Sequence, residues 1–196
     1  MQKFLLHTCC APCGIAVIDE LKSQYDLTVF FYNPNIYPEE EYLKRKKYVV
    51  QICEEWGVKM IDVDYEVEKW DDAVRGLENE PEGGARCSKC FRLRLETTAR
   101  YAKENNLDIF CTTLTSGRNK KAEVINPIGV ELGVKYGVKF FETDWKKDGR
   151  PASVRPPHGG RTTAGRQEKA RRMVEERGIY RQNYCGCVYS KAREAL

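Results

Sequence analysis

Short apolar runs and longer amphipathic stretches alternate along the chain, and each spacing predicts an element. Lys3–His7 is an apolar run of strand length. Thr8-Cys9-Cys10-Ala11-Pro12-Cys13 follows it and leads into Ile15, Val17, Ile18 and Leu21, which form one apolar helical face. Pro12 suits the first turn of that helix, where a missing N–H costs nothing. Residues 27–32 are continuously apolar, aromatic or β-branched, as in a strand covered on both faces. The turn Asn33-Pro34-Asn35 ends that run. A helix is predicted from about Pro38, with Glu39, Glu40 and Glu41 complementing its N-terminal dipole and Gly57 near its end. Residues 59–63 read as a third strand, and residues 67–77 as a short amphipathic helix around Trp70, Ala73 and Val74.

A polar connection over residues 79–86 delivers Cys87-Ser88-Lys89-Cys90 to the start of a helix that runs to about Glu104. Residues 108–113 read as strand four and 121–136 as a helix interrupted or begun late at Pro127. Strand five is predicted over residues 139–142 and a last helix over 167–176. Between these, residues 149–166 hold four Gly, three Pro, four Arg and no acid, and read as a mobile loop. Five strand–helix alternations predict an α/β fold: a five-stranded parallel, doubly wound sheet with a C-terminal helical and loop extension. Such sheets bind ligands beyond the carboxyl ends of their strands, so Cys9, Cys10 and Cys13 fall on the functional rim. Residues 1–145 are expected to form the core, with 146–196 a basic extension packed on the same domain.

Composition narrows the classes. The chain of 196 residues is long enough to bury a core without staples, and no apolar run approaches the roughly 18 residues of a membrane-spanning helix. No secretory leader is expected, since the first apolar stretch ends at His7. The net charge of +4 is uneven: residues 146–181 hold 11 basic and 4 acidic residues. That excess marks either a face for a polyanion or a solvated basic helix.

Nine cysteines in a chain without a leader argue for metal or redox chemistry in a reducing compartment. Cys53, within a helix, and Cys111, within strand four, read as core packing. Cys9 and Cys10 are adjacent, a geometry poorly suited to a disulfide, and together with Cys87-x-x-Cys90 they could form a tetrathiolate site for zinc or iron–sulfur. His158 reads as a surface residue. His7 is either a hydrogen-bonded core histidine or a group tuning the cysteine site. Cys185-Gly186-Cys187 could close a small strained disulfide or add two metal ligands. The tyrosines and the amides of Gln182 and Asn183 beside it could stack on or bind a base.

His7-Thr8-Cys9-Cys10-Ala11-Pro12-Cys13, Tyr32-Asn33-Pro34-Asn35-Ile36, Arg86-Cys87-Ser88-Lys89-Cys90-Phe91-Arg92-Leu93-Arg94 and Tyr180-Arg181-Gln182-Asn183-Tyr184-Cys185-Gly186-Cys187 together resemble the QueH-type epoxyqueuosine reductase family. The likeness spans nearly the whole chain. It implies a nucleotide-binding-like α/β fold and a cytoplasmic oxidoreductase that removes the epoxide oxygen of epoxyqueuosine in tRNA as water, using two electrons from a donor the sequence does not identify. It further implies a 4Fe-4S cluster held by Cys9, Cys10, Cys87 and Cys90, and a redox-active pair at Cys185 and Cys187. An additional mononuclear iron beside the cluster is also implied, with Cys13 as its candidate ligand. The proton donor is left open among Asp62, Asp64, Lys120 and a tyrosine. Two other classes compete: a zinc-stabilised RNA-binding module, and an iron–sulfur tRNA sulfurtransferase. The second would need an ATP-binding loop after strand one, where this chain has cysteines.

Overall fold

The computed structural model describes residues 1–117, 119–147 and 163–191. Its strands are β1 (Lys3–His7), β2 (Asp26–Phe31), β3 (Lys59–Asp62), β4 (Ile109–Thr112) and β5 (Lys139–Phe140). They pair in the order β3-β2-β1-β4-β5, and every pairing is parallel. Helices α1 (Ala11–Leu21), α2 (Glu39–Trp56), α3 (Val67–Val74), α4 (Ala85–Glu104) and α5 (Ala122–Tyr136) connect the strands, and α6 (Thr163–Glu176) and α7 (Val188–Lys191) follow. The α/β class and the five-stranded parallel sheet are therefore as expected.

The two faces of the sheet follow from the period of two along each strand. Phe4, Leu6, Val29, Phe31, Ile109 and Cys111 point into one core, where Ile15, Val17 and Ile18 of α1, Val49 and Ile52 of α2, and Met173 and Val174 of α6 cover them. Leu5, Phe30 and Phe110, one residue out of step, point into the other, beneath Phe91, Leu95 and Ala99 of α4 and Ile125, Ile128 and Leu132 of α5. A strand buried on both faces needs apolar residues at consecutive positions, which is why β1, β2 and β4 show no alternation. Gly129 lets α5 lie flat on the sheet, since a Cβ there would overlap the Phe140 ring.

Strand β5 ends at Phe140, two residues early, α7 is a helix the sequence pattern does not predict, and three helix boundaries also differ. Helix α3 stops at Val74, not Leu77, because Arg75 turns to ψ 131° and Gly76 takes φ +80°. Helix α5 begins at Ala122 and continues through Pro127 without a break. Helix α6 begins at Thr163, four residues before its expected start, and packs on α1 through Arg166 with Glu20 and Lys169 with Asp19. Most of the loop expected over residues 149–166 lies outside the described residues, and so does His158.

Strand order reverses between β1 and β4: the chain winds outward from β1 to β3, then returns to the other side of β1. The crevice of such a sheet opens at this switch, beyond the carboxyl ends of β1 and β4. Cys9 and Cys10 follow β1 there, and the 3-10 turn Thr113–Ser116 follows β4.

Candidate metal centre

The segment after β1 is built from buried polar groups. His7 is fully buried, with Nδ1 2.9 Å from Thr112 Oγ1 and Nε2 donating to the Tyr32 carbonyl at 3.1 Å. Because a carbonyl can only accept, the ring proton sits on Nε2, and in the neutral ring Nδ1 accepts from the Thr112 hydroxyl. Burial, with Arg94 nearby, lowers the His7 pKa to about 4. His7 is thus the hydrogen-bonded core histidine of the two readings, tying β1 to β2 and β4. Asn33 Nδ2 donates to the Thr8 carbonyl at 3.0 Å and fixes the next residue in the same way.

Cys10 precedes α1 in extended conformation, with Pro12 in the first turn. This arrangement gathers the sulfurs of Cys9, Cys10 and Cys13 within 4.8 Å of one another. Hydrogen bonds from the Cys10 and Cys13 thiols hold the Cys9 thiol well below the usual thiol range, with Lys120 and Arg94 adding to the effect. Within the triad, Cys9 is the sulfur whose deprotonation is favoured, while Cys10 and Cys13 are pushed up.

Cys87 and Cys90 arrive from the first turn of α4. Glu80 Oε2 accepts from the Ala85 N–H at 2.9 Å at the start of this helix, and Arg86 anchors the loop before it. The fully buried Arg86 guanidinium donates to the carbonyls of Leu77, Glu78 and Glu80 and lies 4.5 Å from the Tyr189 ring centre. Cys87 packs against the cluster that contains Cys9 and Cys10, and its sulfur accepts from the Gly83 N–H at 3.2 Å. Cys90 packs with Trp70, Val74 and Cys187. Burial pushes both thiols up, with Arg94 opposing the rise at Cys90.

The C-terminal segment closes the group. Gly186 has φ +119°, and a Cβ there would lie 3.0 Å from Arg45 Nη1 and 3.1 Å from Ile36 Cγ1. Only glycine meets both demands. Arg45 Nη1 donates to the Cys185 carbonyl at 3.1 Å, and its Nε pairs with Glu41 at 2.7 Å. Cys187 is buried and its thiol donates to Ser190 Oγ at 3.4 Å. The cysteines of the described chain are free thiols, Cys185 and Cys187 included. Cys53 and Cys111 lie in the core behind β1 and β4, each pushed up to about 12 by burial.

Three cations turn toward these sulfurs. Arg94 is 1% exposed and Arg45 3% exposed, so burial opposes the charge of both. For Arg94, the thiols of Cys90, Cys185 and Cys9 outweigh that penalty; for Arg45, Cys10 and Glu41 do. Lys120, half-buried, is likewise opposed by burial but held protonated by Cys185, Cys9 and Cys13. Arg94 and Lys120 have no carboxylate partner among the described residues, and Arg94 Nη2 is buried without a hydrogen bond. Buried charge is stable only when paired. The missing counter-charge is anionic sulfur, and soft thiolates beside cations suit a metal–thiolate centre of net negative charge. The residues present fit such a group.

Arg45 and Arg94 are not legible in the sequence as site residues. Arg45 stands four residues after Glu41 and reads as a surface ion pair of α2. Arg94 stands four after Cys90, and that spacing is the signal that could have found it. Gln182, expected to read a base, has its Nε2 2.9 Å from Cys10 Sγ. Of the expected proton donors, Asp62 is engaged by Lys46 and Tyr42, Asp64 lies exposed beyond β3, and Lys120 faces the thiols. No described helix is long and apolar enough to cross a membrane.

The chain is similar in fold to the U34-tRNA thiolase NcsA from Methanococcus maripaludis, solved with its 4Fe-4S cluster. The TM-score is 0.52 at 16% identity, covering 96% of this chain and 61% of that one. In sequence it is 40% identical over 191 residues to the epoxyqueuosine reductase QueH of Histophilus somni, covering 96% of this chain and 72% of the relative. With that of Thermotoga maritima it is 36% identical over 193 residues, covering 97% and 91%. The family model described as epoxyqueuosine reductase QueH matches residues 4–156 and 159–193, taking in the cysteine-bearing segments after β1, at the start of α4 and before α7. By that extent of agreement, the chain belongs to the epoxyqueuosine reductase QueH family.

Proposed function

We propose that this protein reduces epoxyqueuosine in tRNA to queuosine at the cysteine-lined switch of its sheet. The observation that carries the reading is electrostatic: Arg94 and Lys120 face sulfurs with no carboxylate among the described residues to balance them, as a site built around anionic sulfur requires. Cys9, Cys10, Cys87 and Cys90 would hold a 4Fe-4S cluster, with Cys13 the ligand available to an additional iron. Bound there, such a centre supplies one-electron transfer and Lewis acidity.

The chain's own residues do the rest. Epoxide, two electrons and two protons give an alkene and water. Oxidation of the Cys185 and Cys187 thiols to one disulfide releases two electrons and two protons, and an external reductant of the thiol–disulfide class must then restore the pair. Lys120 is the group that offers a hydrogen bond to the departing oxygen, since it stays charged beside the thiols and no carboxylate among the described residues holds its Nζ. Arg45 and Gly186 keep the Cys185-Gly186-Cys187 turn against the site. The first experiment is anaerobic purification with iron, sulfide and zinc analysis, followed by incubation with epoxyqueuosine-containing tRNA and a chemical reductant. A brown protein that yields queuosine supports the reading. A colourless protein with one zinc and no turnover would replace it with the RNA-binding module.

Exposed cations without acidic partners among the described residues mark the tRNA face. Arg171 and Arg172 sit beside Glu168, Glu175 and Glu176 on their own helix, so their charges are largely spent locally. Lys89, between the two cysteines of α4, and Arg181, beside Gln182, are exposed and have no acidic partner among the described residues. Replacing both by Ala should flatten the slope of log affinity against log salt by about 0.7–0.9 for each phosphate no longer neutralised. Filter binding over a salt series measures this, and an unchanged slope would mean that both side chains are merely solvated.

A further inference from the structure

Gln182 ends against a sulfur. Its Nε2–H donates to Cys10 Sγ at 2.9 Å, while Oε1 at the other end of the same amide is buried without a partner among the described residues. An amide placed for packing or for loop structure would satisfy both ends, because an unmet buried acceptor costs about 1–3 kcal/mol. This one accepts that cost and keeps the bond to sulfur.

The neighbours fix where the amide sits. Arg45 donates to the carbonyls of Cys185 and Tyr184, the Tyr184 hydroxyl donates to the Tyr37 carbonyl at 3.0 Å, and the Tyr37 N–H donates to the Gly186 carbonyl at 2.8 Å. The segment bearing Gln182 is thus held to α2 and to the loop before it, and the meeting with Cys10 follows from that seating. Hydrogen bonds to the sulfurs of an iron–sulfur centre stabilise its more negative, reduced form, and so raise its reduction potential. The Gly83 N–H donates to the Cys87 sulfur from the backbone. Gln182 does so from a side chain 172 residues distant in sequence from the sulfur it meets.

We propose that Gln182 is a positioning residue whose N–H···S bond to Cys10 sets the reduction potential of the metal centre. The inference rests on the iron–sulfur reading of the site. The test is a redox titration of the reconstituted full chain, followed by visible absorption and electron paramagnetic resonance, with iron and sulfide measured in each sample. Gln182→Leu keeps the shape and removes the donor, so its midpoint potential should be more negative than that of the wild type at equal iron content. Gln182→Glu, which places a carboxylate by the sulfur, should be more negative still. Asn183→Leu, at an exposed position of the same segment, should titrate as the wild type does. Equal potentials for Gln182→Leu and the wild type overturn the proposal, as does loss of iron from Gln182→Leu, which would make the amide a support for ligation. A wild type with neither iron nor sulfide overturns the underlying reading instead, and no variant would then show a couple to compare.

Discussion

Alanine at any one of Cys9, Cys10, Cys87 or Cys90 is expected to strip most of the iron and abolish epoxide reduction, whereas alanine at Cys53 or Cys111 leaves both intact. The contrast separates cysteines by environment. The first four lie at the rim beside cations: Cys9 near Arg94 and Lys120, Cys10 near Arg45, Cys90 near Arg94 and Cys87 near Arg86. The last two lie in the apolar core, where burial keeps them as thiols. A tetrathiolate cluster rarely survives the loss of one ligand. A core Cys→Ala change removes one small apolar group and should cost about 1 kcal/mol of stability. Iron and sulfide content measured beside tRNA deoxygenation checks both halves. Cys87→Ala is the most exacting variant, because its sulfur lies outside the compact Cys9–Cys10–Cys13 triad; wild-type iron in that variant would remove Cys87 from the ligand set.

Replacing Cys185 and Cys187 together by Ser should keep the iron and its absorbance while ending catalysis after a single turnover. Neither is needed to complete a four-thiolate site. Cys187 is hydrogen-bonded to Ser190 at the start of α7, and Cys185 is half-buried at the edge of the same turn. Gly186 at φ +119° gives that turn a conformation no other residue adopts without strain. With the pair removed, protein whose centre has been reduced chemically should form no more than about one product per chain, a limit that single-turnover kinetics reads directly. Loss of iron from the double variant would make both residues ligands and end their assignment as a thiol–disulfide pair. Gly186→Ala should resemble the double variant in turnover, because its methyl would push the turn away from Arg45 and Ile36.

Much of the fold is legible in the sequence because local signals and tertiary environment agree. The unbroken apolar runs of β1 and β2 give strands buried on both faces, and Gly57 ends α2 in the left-handed conformation expected of a C-terminal glycine. Helix ends set by backbone turns are harder to place, as at α3, where Arg75 and Gly76 break a pattern that Leu77 continues in sequence. The start of α6 is hidden by the Gly- and Arg-rich composition before it. At the site, cysteine spacing marks the rim, but it says nothing of the charges around it. Arg45 has the spacing of an ordinary surface ion pair with Glu41, Arg94 carries only its four-residue distance from Cys90 as a signal, and the packing of α2 and α4 against the switch buries both. The segment bearing Gln182 stands out in sequence as functional, yet no local pattern announces a meeting with Cys10.

The Arg45 bonds to Tyr184 and Cys185, and the Gln182 bond to Cys10, join residues 139, 140 and 172 positions apart. Interactions of such separation form late, because closing a long stretch of chain must precede any reward from them. On a growing polypeptide, the sulfurs after β1 therefore emerge long before the cations and amide that surround them. The pocket is completed only when the last turn docks. Until then the early cysteines are open to the wrong metal or to oxidation, and the order of assembly makes final docking the step that shields them.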